Sequence, residues 1–161
     1  AAKSYEQAVL LRSDYAEAHY ALANALRLQG KTSSAEASYK KALAARSDYA
    51  VADNDLGAML TGLGRLVEAE QHCRRALASK PDYAEAHNNL ARVFDELGRS
   101  KEAEEGFRAA IALRADFSQP RANLGALLIR LGRVTEGLKE SAAASGVIIF
   151  HSRQGLKIQG T

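Results

Sequence analysis

The side chains with most chemical capacity stand in short polar clusters. His87-Asn88-Asn89 sets an imidazole beside two amides, and His72-Cys73 sets a nitrogen donor beside the chain's one thiol. His19 and His151 are the remaining histidines. Residues of these types hold metals, move protons, or grip a peptide backbone through amide donors and acceptors. Their context decides among those uses. One cysteine excludes an intrachain disulfide and any cysteine cluster for a metal. His19 and His87 stand at the same place of an internal repeat, two periods apart, which marks both as packing residues. Cys73 shares a repeat column with Tyr39 and Phe107, so it belongs to an apolar stripe and His72-Cys73 is not read as a metal pair. His151 falls in an irregular tail and receives no role. The glycines are isolated, which excludes a phosphate-cradling loop, and no G-x-S-x-G occurs. No catalytic residue, cofactor or metal is expected, and the chain reads as a non-enzyme.

The elements that position these residues repeat. "DYAEAH" stands at 14–19 and again at 82–87, with "DYAVAD" at 48–53 and "DFSQPR" at 116–121. The step from Asp14 to Asp48, Asp82 and Asp116 is constant, which makes the chain a repeat array with a period of ~34 residues. Leu22, Leu56, Leu90 and Leu124 align, as do Gly30, Gly64, Gly98 and Gly132, and Ala42, Ala76, Ala110 and Ala144. Within the third repeat, Ala86, Leu90, Val93, Phe94 and Leu97 form one helical stripe, and Ala103, Phe107, Ala110 and Ile111 form another. Asp82 and Glu85 are expected to cap the first helix, with Asp14 and Glu17 repeating the arrangement. Gly98 is expected to stop it. Small residues at Ala23, Gly57, Ala91 and Gly125 let paired helices approach closely.

This period and these columns resemble the tetratricopeptide repeat family. The resemblance implies an all-α, right-handed superhelical solenoid of antiparallel helix pairs sharing one continuous core. The expected divisions are 1–13, the second helix of a truncated repeat; 14–47, 48–81, 82–115 and 116–145, four repeats; and 146–161, a non-repeat tail that caps the array or begins another region. Tyr5, Ala8 and Val9 would lose cover at the truncated edge. The chain is therefore expected to be a piece of a longer array. In the last repeat Gly137 and Ser141 replace Ala103 and Phe107, so the pattern is expected to decay there. Val147 to Phe150 suits a helix end or a short strand.

In this family the first helices of stacked repeats line a concave groove. Glu85, Asn88, Asn89, Arg92 and Glu96 make a polar stripe on the third first helix. Equivalent columns hold Tyr20, Ala21, Asn24 and Arg27; Asn54, Asp55 and Thr61; and Ala122 and Asn123. The expected peptide contacts are Asn24, Arg27, Asn54, Asp55, Asn88, Asn89, Arg92 and Asn123. The column Ala21, Asp55, Asn89, Asn123 and the phrase "AEAHNNLA" are similar to the repeat domain of O-GlcNAc transferases and their bacterial relatives, where an asparagine ladder binds peptide backbone. That carry-over holds at Asn89 and Asn123, weakens at Asp55 and fails at Ala21. The carboxylate clamp of co-chaperone repeat domains is not met, because Tyr20, Asp55, Glu85 and Asn89 stand where it needs Lys, Asn, Lys and Arg.

Composition narrows the partner. Net charge is +3, and residues 118–161 hold six Lys/Arg against two acids. That is too weak and scattered for nucleic acid. No run of about 18 apolar residues offers membrane insertion, and the N-terminus does not read as a signal peptide. The single cysteine fits a reducing, cytoplasmic setting. The chain is expected to be a non-catalytic scaffold for a peptide or protein segment. Alternatives are the repeat array of a larger enzyme, of glycosyltransferase or sulfotransferase type, and self-association through the terminal edges.

Overall fold

The computed structural model describes residues 15–146 in full, and the backbone alone of two further segments, 148–152 and 155–159. The expected half-repeat at 1–13, the Asp14 cap and the His151 side chain lie outside the described residues. Eight helices run in pairs. They are α1 (Ala16–Leu28), α2 (Thr32–Ala45), α3 (Ala50–Gly62), α4 (Leu66–Ser79), α5 (Ala84–Glu96), α6 (Ser100–Leu113), α7 (Ser118–Arg130) and α8 (Val134–Ala144). First helices begin at Ala16, Ala50, Ala84 and Ser118, and second helices at Thr32, Leu66, Ser100 and Val134. Both series step evenly, so the period of the sequence is the period of the fold. An antiparallel hairpin follows, β1 (Ile148–Ser152) and β2 (Gly155–Gln159), with Ile149 opposite Ile158 and His151 opposite Leu156. The β-branched run after Val147 is thus a strand.

The chain divides into two compact units, Ala1–Pro81 and Asp82–Thr161. In the first, α1 packs on α2, α3 on α4, and α2 on α3. Leu22, Leu26 and Ala35 form a buried cluster that Met59 covers. Tyr39, Leu56, Leu60 and Cys73 are fully enclosed. In the second, α5 packs on α6, α7 on α8, and α7 also touches both α5 and α6. Phe94, Phe107, Leu124, Leu127 and Leu128 make its core with Ala91 and Ala103, and Leu90 and Ile111 flank it. A stripe buried this way contributes about 1.5–3 kcal/mol per large side chain.

Gly98 ends α5 as expected. Its φ is +74°, the left-handed conformation that glycine adopts without a Cβ clash. Arg99 N–H donates to the Phe94 carbonyl at 2.8 Å and Gly98 N–H to the Asp95 carbonyl at 3.0 Å, satisfying two carbonyls the helix end would leave bare. The same two bonds close α1, α3 and α7.

The helix starts differ from expectation. The residue at the cap of α5 is Tyr83, extended at φ −87°, ψ 93°, and its side chain makes no cap bond. That extended residue moves Asp82 off the capping position. Glu85 does not reach back either, because Arg114 Nη1 donates to its Oε1 at 2.7 Å.

The last repeat keeps its helix pair. Its second helix, α8, forms and packs on α7. A Cβ on Gly125 would fall 2.3 Å from Ser141 Oγ and 2.8 Å from the Gly137 carbonyl oxygen, and one on Gly137 would fall 2.6 Å from the Gly125 carbonyl oxygen. Gly125 and Gly137 therefore let α8 approach α7 closely, and Gly137 is the buried residue of α8.

Candidate functional site

The polar stripe proves to be two columns at different depths. Asn54 and Asn88 are buried, each only 4% exposed. Asn24, Asp55, Asn89, Arg92 and Asn123 are half-buried, and Arg27 is exposed. Thr61 turns inward; it is buried and donates to the Gly57 carbonyl at 2.9 Å, a backbone acceptor of its own helix. His19 is buried and His87 half-buried.

First helices of neighbouring repeats bond through these columns at a spacing of 35 residues. In the second unit Asn123 Nδ2 donates to Asn88 Oδ1 at 3.0 Å, and Gln119 Nε2 donates to Asn123 Oδ1 at 3.1 Å. Arg130 also bonds Asp95 across the same two helices. In the first unit the Tyr20 hydroxyl donates to Asp55 Oδ2 at 2.7 Å, and Asn54 Nδ2 donates to Asp55 Oδ1 at 3.2 Å. Tyr39 donates to Asn24 Oδ1. The Tyr20 ring lies 6.1 Å from that of Tyr39 and 5.2 Å from that of Tyr49, both tilted. Burial, and then the bond to Asp55, pushes the Tyr20 hydroxyl well above the usual phenol range. Burial, followed by the charge of Asp55, also raises the Tyr39 hydroxyl. Both hydroxyls stay protonated and act as donors. Much of the stripe's polar chemistry thus joins repeat to repeat. What stays accessible in the second unit is Asn89, Arg92 and Asn123, beside the exposed small residues Ala122 and Ala126.

A second set of polar contacts recurs at a spacing of 29 residues, joining consecutive repeats at Arg65 and Arg133 and lying within a repeat at Arg46 and Arg114. Arg65 donates to both oxygens of Glu36, at 2.6 and 3.1 Å, and also to Glu68. Arg133 does the same two repeats later, with Glu104 and Glu136. Arg65, then Lys40, lowers the Glu36 carboxyl to about 2. Arg46 binds Glu17 and lies 3.8 Å over the Tyr49 ring; Arg114 binds Glu85 and lies 4.1 Å over Phe117. In the fourth repeat the accepting acids give way to Gln119 and Leu138. Leu138 is there exposed together with Ile129, Leu131 and Val134.

A third set lies within repeats and was not anticipated. Asp53 is fully buried, and its Oδ1 lies 2.8 Å from His72 Nδ1, with Arg75 Nε 3.5 Å from Oδ2. In the fourth repeat the same two positions hold Arg121 and Glu140, paired at 3.1 Å with the charges exchanged. His72 therefore serves Asp53 and not Cys73, whose sulfur is enclosed against Gly57. The signal was in the sequence, as two acid–base pairs of opposite order at a common spacing of 19.

These helix pairs, closed by left-handed glycines and clamped at fixed spacings, define a helical-repeat protein. Models of the tetratricopeptide repeat match residues 1–50 and 48–116, together well over half of the chain. The chain belongs to the tetratricopeptide repeat family. Solved structures agree on the fold. MamA is 22% identical, with a TM-score of 0.80 over 89% of this chain and 84% of that one. YrrB, described as a TPR protein with an unusual peptide-binding site, is 25% identical, with a TM-score of 0.77 over 91% and 75%. TTC0263, a thermophilic TPR protein of Thermus thermophilus, is 26% identical, with a TM-score of 0.75 over 90% and 80%. No curated protein matched the sequence. Among the described residues, no helix is long and apolar enough to cross a membrane.

Proposed function

We propose that the chain is a protein-interaction scaffold that takes an extended peptide segment along the polar face of its first helices. The observation carrying this reading is the half-open face of the second unit. Asn89, Arg92 and Asn123 keep part of their surface, and exposed Ala122 and Ala126 leave room for a backbone to approach. An extended segment brings unpaired N–H and C=O groups, and an amide side chain answers either. Membership of a family of repeat scaffolds and the likeness to a peptide-binding neighbour support the same reading.

Asn89 is the residue to test. Asn123 is less informative, because its loss strips buried Asn88 of a donor and costs about 1–3 kcal/mol of stability. With a partner captured by the intact chain and reduced to its binding segment, Asn89→Ala is expected to weaken binding about fivefold, the value of one amide bond. Equal affinity at an unchanged melting temperature removes Asn89 from the site.

A further inference from the structure

Arginine in this protein is a paired residue. Arg46, Arg65, Arg114, Arg121, Arg130 and Arg133 each meet an acid of another element. Arg74, Arg75, Arg99 and Arg108 also have acids within ion-pair distance. Among the described residues only Arg27 and Arg92 have none, and both lie on the polar stripe of a first helix. Arg92 is the sharper case, because it is half-buried. Glu96, four residues on along the same helix, is exposed and forms no ion pair with it. Arg92 therefore presents a guanidinium on the half-open face with no counter-charge from the described residues.

We propose that Arg92 is the anchor for an aspartate or glutamate side chain of the bound segment. This rests on the reading above and names the partner's chemistry. The planar fork of arginine matches a carboxylate with two parallel bonds. Asn89 precedes Arg92 by three residues on the same helix face, and Asn123 stands on the adjoining helix, so an acid at Arg92 is flanked by amides for the neighbouring peptide groups. Of the acids nearby, Glu85 is neutralised by Arg114 and Asp95 by Arg130, while Glu96 stands exposed to solvent. Arg27 differs. It is exposed, and its face carries Asp55, whose charge opposes a second acid. The acidic preference therefore belongs to the second unit.

The test uses random dodecamer peptides displayed between constant flanks, so that no free chain end competes. They are enriched on the intact protein, on Arg92→Gln, and on Lys101→Gln, an exposed-lysine control for net charge. Wild type and Lys101→Gln are expected to enrich peptides rich in Asp and Glu, and Arg92→Gln to lose that bias. The best acidic peptide is expected to bind Arg92→Gln about tenfold more weakly. Its Asp→Asn version should bind wild type equally weakly, with no further loss when both changes are combined. Arg92→Lys keeps the charge without the fork and should fall between. Enrichment of neutral peptides, or of the same acidic ones by Arg92→Gln, overturns the anchor and leaves the peptide-binding reading intact. No enrichment on folded wild type overturns both.

Discussion

Replacing Glu36 with Gln keeps the side chain's shape and removes the charge that Arg65 clamps. The Glu36 carboxyl sits at about 2 instead of 4.5, held there first by Arg65 and then by Lys40. A shift of that size corresponds to about 3 kcal/mol as a ceiling, at about 1.36 kcal/mol per pH unit. The Glu36 side chain is 15% exposed but its Arg65 partner is 36% exposed. Water therefore screens the pair, and the working figure falls to about 1–2 kcal/mol. Because the folded value is lowered, this stability is complete above the unfolded value of 4.5 and is lost as pH falls through about 2. Urea unfolding followed by circular dichroism is the assay, with wild type and Glu36→Gln compared at steps from neutral pH downward. At neutral pH wild type should be more stable by about 1–2 kcal/mol. The gap should begin to close near pH 4.5 and vanish toward pH 2. No gap at neutral pH, or one that persists undiminished to pH 2, refutes the clamp as a source of coupling between repeats.

Two further outcomes follow from geometry. Gly125→Ala forces a Cβ against the Gly137 backbone and should cost about 1–3 kcal/mol, whereas Gly62→Ala, with nothing within 4 Å, should be neutral or stabilising by up to about 1 kcal/mol; calorimetry reads both. His72→Ala leaves Asp53 buried with only the longer contact to Arg75 and should cost about 3 kcal/mol in urea, while Asp53→Arg combined with His72→Glu, which copies Arg121 and Glu140, should recover much of it. If the double exchange is no better than the single loss, the two sites are not equivalent.

The repeat made most of the fold legible. Period, apolar stripes and glycine stops are properties of a single helix pair, and a single pair is what local sequence specifies. Helix starts were misplaced because one extended residue, such as Tyr83, shifts the cap without altering the period. The candidate face was legible only in outline. Asn88 and Asn89 are neighbours in a polar run, yet Asn88 is buried and the half-buried position beside it is that of Asn89. Their fates depend on how the next first helix lies against this one, through Asn123, and no helical periodicity encodes that. The exchange of Asp53–His72 for Arg121–Glu140 could have been found by comparing charged positions across repeats rather than aligning apolar ones alone.

That exchange bears on how near-identical modules avoid confusion while the chain is still finding its partners. Repeats of similar sequence invite a first helix to seize the wrong second helix, the usual misassembly of repeat proteins. If α3 closed on α8, Asp53 would be set against Glu140; if α7 closed on α4, Arg121 would meet His72 with Arg75 close by. The first mistake sets Glu140 against the carboxylate of buried Asp53, and the second sets Arg121 near the Arg75 cation. The two pairs therefore work as matched keys, each accepting its own helix and turning the other away.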